Sequence, residues 1–125
     1  MMLACARKIA FYDRLVRGGR WEVPPGKPIF RMAGSTLGLI GFGNIARQVA
    51  VRAAAFGMRV LYSDPYVKEG QFDVPGKQME LHAMLEESDF VSLHPPLMPQ
   101  TRKMINDEAL SRMKPTAILD RKSVV

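Results

Sequence analysis

Three small residues, Gly41, Gly43 and Ala46, follow the apolar run Leu37-Gly38-Leu39-Ile40, and a carboxylate, Asp64, stands eighteen residues beyond Ala46. Residue types in this order suit recognition of a dinucleotide by a βαβ unit. Gly41 permits a tight turn out of a strand. Gly43 lacks the Cβ that would keep the backbone away from a pyrophosphate, and Ala46 lets the next helix lie close on the strand. The N–H groups opening that helix face the phosphates, aided by the helix dipole. Asp64 is suited to accept from both ribose hydroxyls, and its charge opposes a 2′-phosphate, which favours NAD over NADP. The rival interpretation is an ordinary tight turn with Asp64 as a strand-end cap.

The flanking elements fit the first interpretation. Leu37, Leu39 and Ile40 form a strand-like run, and Ile45, Val49, Ala53 and Phe56 recur at helical spacing after the turn, with Arg47, Gln48 and Arg52 on other faces. Gly57 stands where a helix stop belongs. Met58 to Tyr62 then reads as a second strand that delivers Asp64 at its carboxyl end.

The remaining chain alternates in the same way. Residues 2–17 are expected to form one helix, with Leu3, Ala6, Ala10 and Val16 toward a core, ended by Gly18-Gly19. Trp21 to Met32, with Pro24, Pro25, Gly26 and Pro28, reads as a loop in which Trp21 packs over the sheet edge. Lys77 to Glu80 is a short third strand, Leu81 to Glu87 a helix buried through Leu81, Met84 and Leu85, and Asp89 to His94 a strand stopped by Pro95-Pro96. Asn106 caps a helix through Met113, and Ala117 to Leu119 is the last strand. Strands alternating with helices imply a parallel, doubly wound α/β sheet of Rossmann type, incomplete, with an N-terminal helix and loop. The expected organisation is residues 1–35 as that helix and loop, 36–119 as the nucleotide domain and 120–125 as a divergent tail.

The 125 residues are 47% apolar and 24% charged, as in an ordinary globular domain. No run of about eighteen apolar residues occurs, and Met1 to Ala6 is too short for a secretory signal. Cys5 is the single cysteine, which excludes an intrachain disulfide and a zinc cluster and fits a cytoplasmic setting. The net charge of +6 raises nucleic-acid binding, but the basic residues are scattered and no aromatic platform interleaves them. His94 stands near the expected cleft without a carboxylate spaced to orient it, and is read as wall rather than catalytic base. His82 and Cys5 are read as a surface residue and a core or interface residue.

With the turn, Asp64 and His94-Pro95-Pro96 in view, the chain resembles the NAD-binding domain of the D-isomer-specific 2-hydroxyacid dehydrogenases. The resemblance runs from about Leu3 to Leu119 through Gly18…Trp21, Thr36 to Ile45, Ala55-Phe56-Gly57-Met58, Asp64-Pro65, Glu87-Ser88-Asp89 and Leu93-His94-Pro95-Pro96-Leu97…Thr101…Ile105-Asn106. Ala6 to Ile9 and Asp64-Pro65-Tyr66 lean toward phosphoglycerate-dehydrogenase-like and C-terminal-binding-protein-like members. The resemblance implies that Asn44 and Ile45 lie against the pyrophosphate, that Asp64 holds the adenine ribose, that Pro95 and Pro96 shape the adenosine wall and that Thr101 adds a polar contact. Ala46 and Met98 depart from a more usual glycine and threonine.

The family's substrate-binding arginine aligns with Val124, and its glutamate and histidine lie farther on; Arg121 is three residues early. The sequence after Leu119 therefore reads as a truncation or a shifted frame. The expectation is an NAD-binding portion of an oxidoreductase that moves hydride between NAD(H) and a D-2-hydroxy or 2-keto acid, with no catalytic and no metal-binding residues of its own. As given the chain is expected to be inactive, and the full-length enzyme to be a homodimer. The alternative is a non-catalytic, NAD-responsive interaction module of the C-terminal-binding-protein type, which a peptide-partner screen with and without NAD separates.

Overall fold

The structure, a computed structural model, describes residues 1–21 and 29–121. Most of the expected Pro/Gly-rich loop, and Val124 with the end of the tail, lie outside the described residues. Five parallel strands form one sheet in the order β3-β2-β1-β4-β5: β1 (Thr36–Ile40), β2 (Arg59–Ser63), β3 (Lys77–Gln78), β4 (Phe90–Leu93) and β5 (Ile118–Arg121). The central strand β1 pairs with β2 from Thr36↔Arg59 to Ile40↔Ser63 and with β4 from Leu37↔Phe90 to Ile40↔Leu93. Every residue of β1 is buried, as a parallel strand covered on both faces requires.

Alternation along the strands sorts side chains onto two cores. Leu37, Leu39, Val60, Tyr62 and Phe90 join one cluster with α3 (Asn44–Ala55) and Ala6 of α1 (Met2–Ala6). Ile40, Leu61 and Val91 join the other with Met84 and Leu85 of α4 (Leu81–Glu87) and Ala109 of α5 (Asp107–Arg112). Gly38 points at α4, where a Cβ would collide with the Ser88 hydroxyl. A glycine in mid-strand marks such close backbone approach.

Several elements differ from the sequence expectation. The single helix over residues 2–17 is two helices, α1 and α2 (Ile9–Arg17), broken at Lys8, whose φ is +52°. The Ala6 carbonyl accepts from Phe30 N–H at 3.1 Å, so it is diverted from the Ala10 N–H that a continuous helix would offer it. Ala6 is buried, whereas Leu3, Ala10 and Val16 are exposed, as is Cys5. Trp21 is 90% exposed and packs over no sheet edge.

The buried face of α3 is Ala46, Ala50 and Ala53, while Ile45 and Phe56, expected on it, are exposed. A helix lying this close to a sheet accepts methyl groups and excludes larger side chains. Glu80 is not a strand residue: it caps α4, its carboxylate accepting from His82 and Ala83 N–H at 2.7 and 3.0 Å. Finally, β5 runs past Leu119 through Asp120 and Arg121, which places Asp120 opposite Ser92 of β4.

Candidate functional site

At the carboxyl end of β1 the chain turns through Gly41, whose φ is +81° and whose N–H donates to the Ser63 carbonyl at 2.9 Å. A Cβ there would stand 3.1 Å from Pro95 N and 3.3 Å from the His94 carbonyl carbon. Gly41 therefore serves two needs, a left-handed turn and the close approach of the β4 terminus. Gly43 is different. Its φ is −74°, and a Cβ on it would meet nothing within 4 Å. Its surroundings are open space at the start of α3, which is where a pyrophosphate would approach. Ala46, the third small position, is fully buried.

Asn44 and Ile45 open α3, both exposed. The helix has neither a side-chain cap nor an acidic residue in its first turn, so its leading N–H groups have no partner within the helix. The Asn44 side-chain oxygen accepts from Arg47 Nη2, and the Arg47 guanidinium carbon lies 3.6 Å from the centre of the Phe72 ring. Sequence reasoning left Arg47 among the outward residues; its i,i+3 spacing from Asn44 was the available signal.

Asp64 follows β2 and reaches back across the turn. Its Oδ2 accepts from Phe42 N–H at 2.7 Å, and its Oδ1 from Tyr66 N–H at 2.8 Å. An ionised carboxylate has about four lone-pair sites, so it can still accept from two ribose hydroxyls. Below this pair the Phe42 and Tyr62 rings stack at 3.8 Å between centroids and 10° between planes, which fixes the backbone of the Gly-Phe-Gly turn from beneath.

Pro95 and Pro96 sit beside the Gly41 turn, the first half-buried and the second exposed. Thr101 does not project freely toward this space: its hydroxyl donates to the Pro96 carbonyl at 2.6 Å and accepts from Met98 N–H at 2.9 Å. It pins the loop that carries the two prolines. His94 is held by a 2.8 Å bond from its N–H to the Ile40 carbonyl, and its Nε2 lies 3.0 Å from the Ser92 hydroxyl. Burial pushes the imidazole below its ordinary pKa, and the Asp120 charge works in the other direction. Strand pairing places Asp120 opposite Ser92, so its charge acts on the imidazole, while the side chain bonded to the ring is the Ser92 hydroxyl and not a carboxylate.

The geometry accommodates a dinucleotide: an open space above Gly43, uncapped N–H groups, and a fixed carboxylate at the neighbouring strand end. Among the described residues no group of His, Cys, Asp and Glu could hold a metal ion, and no helix is long and apolar enough to cross a membrane.

Residues 1–119 match the family model described as D-isomer specific 2-hydroxyacid dehydrogenase, NAD binding domain. The chain is 46% identical over 121 residues to a hydroxypyruvate reductase of Thermotoga maritima, covering 95% of this chain and 38% of that protein. It is 45% identical over 123 residues to a glyoxylate reductase of Korarchaeum cryptofilum, covering 95% and 37%. Among solved structures, D-lactate dehydrogenase from Aquifex aeolicus, complexed with NAD and lactic acid, aligns with a TM-score of 0.89 at 31% identity over 96% of this chain and 36% of that one. The chain therefore spans well under half the length of these relatives. It belongs to the D-isomer-specific 2-hydroxyacid dehydrogenase family, as an NAD-binding domain of that family.

Proposed function

We propose that this chain forms the cofactor-binding region of an NAD-dependent reductase of small 2-keto acids of the glyoxylate and hydroxypyruvate class. The observation that carries the cofactor side of the proposal is the Asp64 carboxylate, bonded at 2.7 Å to Phe42 N–H in the middle of the glycine turn. Support for the substrate class comes from the reductases among the relatives. When bound, the nicotinamide supplies or accepts the hydride at the substrate's keto or hydroxyl carbon.

The chain's own residues bind and orient. Gly43, Asn44 and Ile45 present backbone N–H groups to the pyrophosphate, and Asp64 takes the ribose hydroxyls while opposing a 2′-phosphate. Pro95 and Pro96 close the adenosine side against water, and Thr101 holds their loop in shape. His94 remains a wall residue, since its Nε2 is turned to the Ser92 hydroxyl of its own strand. Among the described residues the imidazole closest to the cleft is thus occupied by its own strand, and the 125-residue polypeptide alone is proposed to bind NAD without turning over substrate. The intact protein works as a cytoplasmic homodimer, with α2, which buries none of its residues, as a surface available for pairing.

Isothermal titration of the chain with NAD and NADP is the test. NAD binds more tightly, and Asp64→Ala weakens it by about 1–3 kcal/mol, the scale of charge-assisted hydrogen bonds. Equal or tighter binding of NADP would remove Asp64 from the ribose site.

A further inference from the structure

We infer that Arg47 is a phosphate-contacting residue of this site, its guanidinium aimed in advance by Asn44 and Phe72; the inference rests on the cofactor reading above. Helix stability does not account for the residue's position. A cation in the first turn lies at the positive end of the helix dipole, where an anion is favoured. Here the first turn contains no acidic residue to offset it. Among the described residues the guanidinium's partners are the Asn44 side-chain oxygen and the Phe72 ring, neither of which carries charge.

Those two partners nevertheless fix the group. Asn44 uses one of five N–H donors, and Phe72 occupies one flat face at 3.6 Å. The donors left over lie in the guanidinium plane, the arrangement that receives phosphate oxygens in pairs. Holding a long side chain in one pose before its ligand arrives removes an ordering cost at binding. Phe72 belongs to the segment that follows Asp64, so Arg47 also ties the start of α3 to the carboxylate-bearing loop. The site then has opposite charges with separate tasks, Asp64 for hydroxyls and Arg47 for the pyrophosphate.

The test titrates NAD, ADP, NADP and adenosine into wild-type, Arg47→Gln and Arg47→Lys chains, with circular dichroism melts to establish that all three fold alike. Arg47→Gln weakens NAD and ADP by the same factor, about tenfold, and leaves adenosine unchanged. Arg47→Lys recovers part of the loss, because the charge persists without the planar fork. Unchanged NAD affinity in Arg47→Gln overturns the inference while leaving the cofactor reading intact. An equal loss for adenosine overturns it too, since Arg47 would then act through loop structure. A loss confined to NADP also overturns it, moving the guanidinium to a 2′-phosphate. Failure of the wild-type chain to bind NAD removes both readings together.

Discussion

Two glycines with one role each in the sequence pattern have separable roles in the molecule. Gly41 needs its positive φ and its missing Cβ, because Pro95 and His94 crowd it. Gly43 needs neither for folding, since its φ is ordinary and its surroundings are open. Gly41→Ala should therefore cost about 1–3 kcal/mol of stability, read as a lowered melting temperature. Gly43→Val should melt close to wild type yet abolish NAD binding, since the branch fills the space a pyrophosphate requires. A Gly43→Val chain that melts well below wild type, or that binds NAD normally, would contradict this assignment. At this scale the turn was readable where a residue's conformation follows from its own backbone, as with the positive φ of Gly41. The site was unreadable where a role depends on a partner far along the chain. Asp120 near His94 needs the β4–β5 register, and Phe72 over Arg47 needs the loop path.

Elements were legible where local chemistry is strong: Gly57 at φ +72° stops α3, Asn106 caps α5 through Ala109 N–H, and α4 covers the expected residues. The break between α1 and α2 was not, because no proline or glycine marks it and its cause is the distant Phe30 N–H. Lys8 there sits in left-handed backbone, so Lys8→Gly should stabilise the chain by about 0.5–1 kcal/mol, seen as a raised melting temperature. Where α4 meets β1, Gly38→Ala drives a methyl into Ser88 Oγ, which is buried and donates to the Met84 carbonyl. We expect a loss of about 1–3 kcal/mol. Adding Ser88→Ala should recover much of it, a non-additivity that a double-mutant cycle measures.

For the molecule as a whole, a charged network closes the amino end of the sheet, opposite the candidate site. Partial burial pushes the Asp89 carboxyl up, but hydrogen bonds from Lys114 Nζ and Thr36 N–H, with the Lys114 and Arg59 charges, outweigh it and hold the group below its ordinary pKa. A carboxyl depressed in the folded state contributes stability above its unfolded pKa and loses that contribution as pH falls through the folded value. Denaturant midpoints should thus decline from about pH 4 downward, and Asp89→Asn should lower stability at neutral pH while flattening the decline. A decline of the same steepness in Asp89→Asn would assign it to other carboxylates. The parallel order of the strands was open to sequence reasoning because strands and helices alternate. The core beneath α3 was less so, since Ala46, Ala50 and Ala53 look like weak core formers until α3 is seen to need small residues.

The position of Trp21 has an optical consequence. As the chain's single tryptophan, exposed in the native state, its indole already meets water and has little more to gain when the chain unfolds. Its emission should barely shift across a denaturation that circular dichroism records in full. The folding-sensitive chromophores are instead the stacked Phe42 and Tyr62 rings, whose near-ultraviolet dichroism reports the turn directly beneath the candidate pyrophosphate site. The same molecule thus offers one aromatic signal that stays quiet during unfolding and another that watches the site.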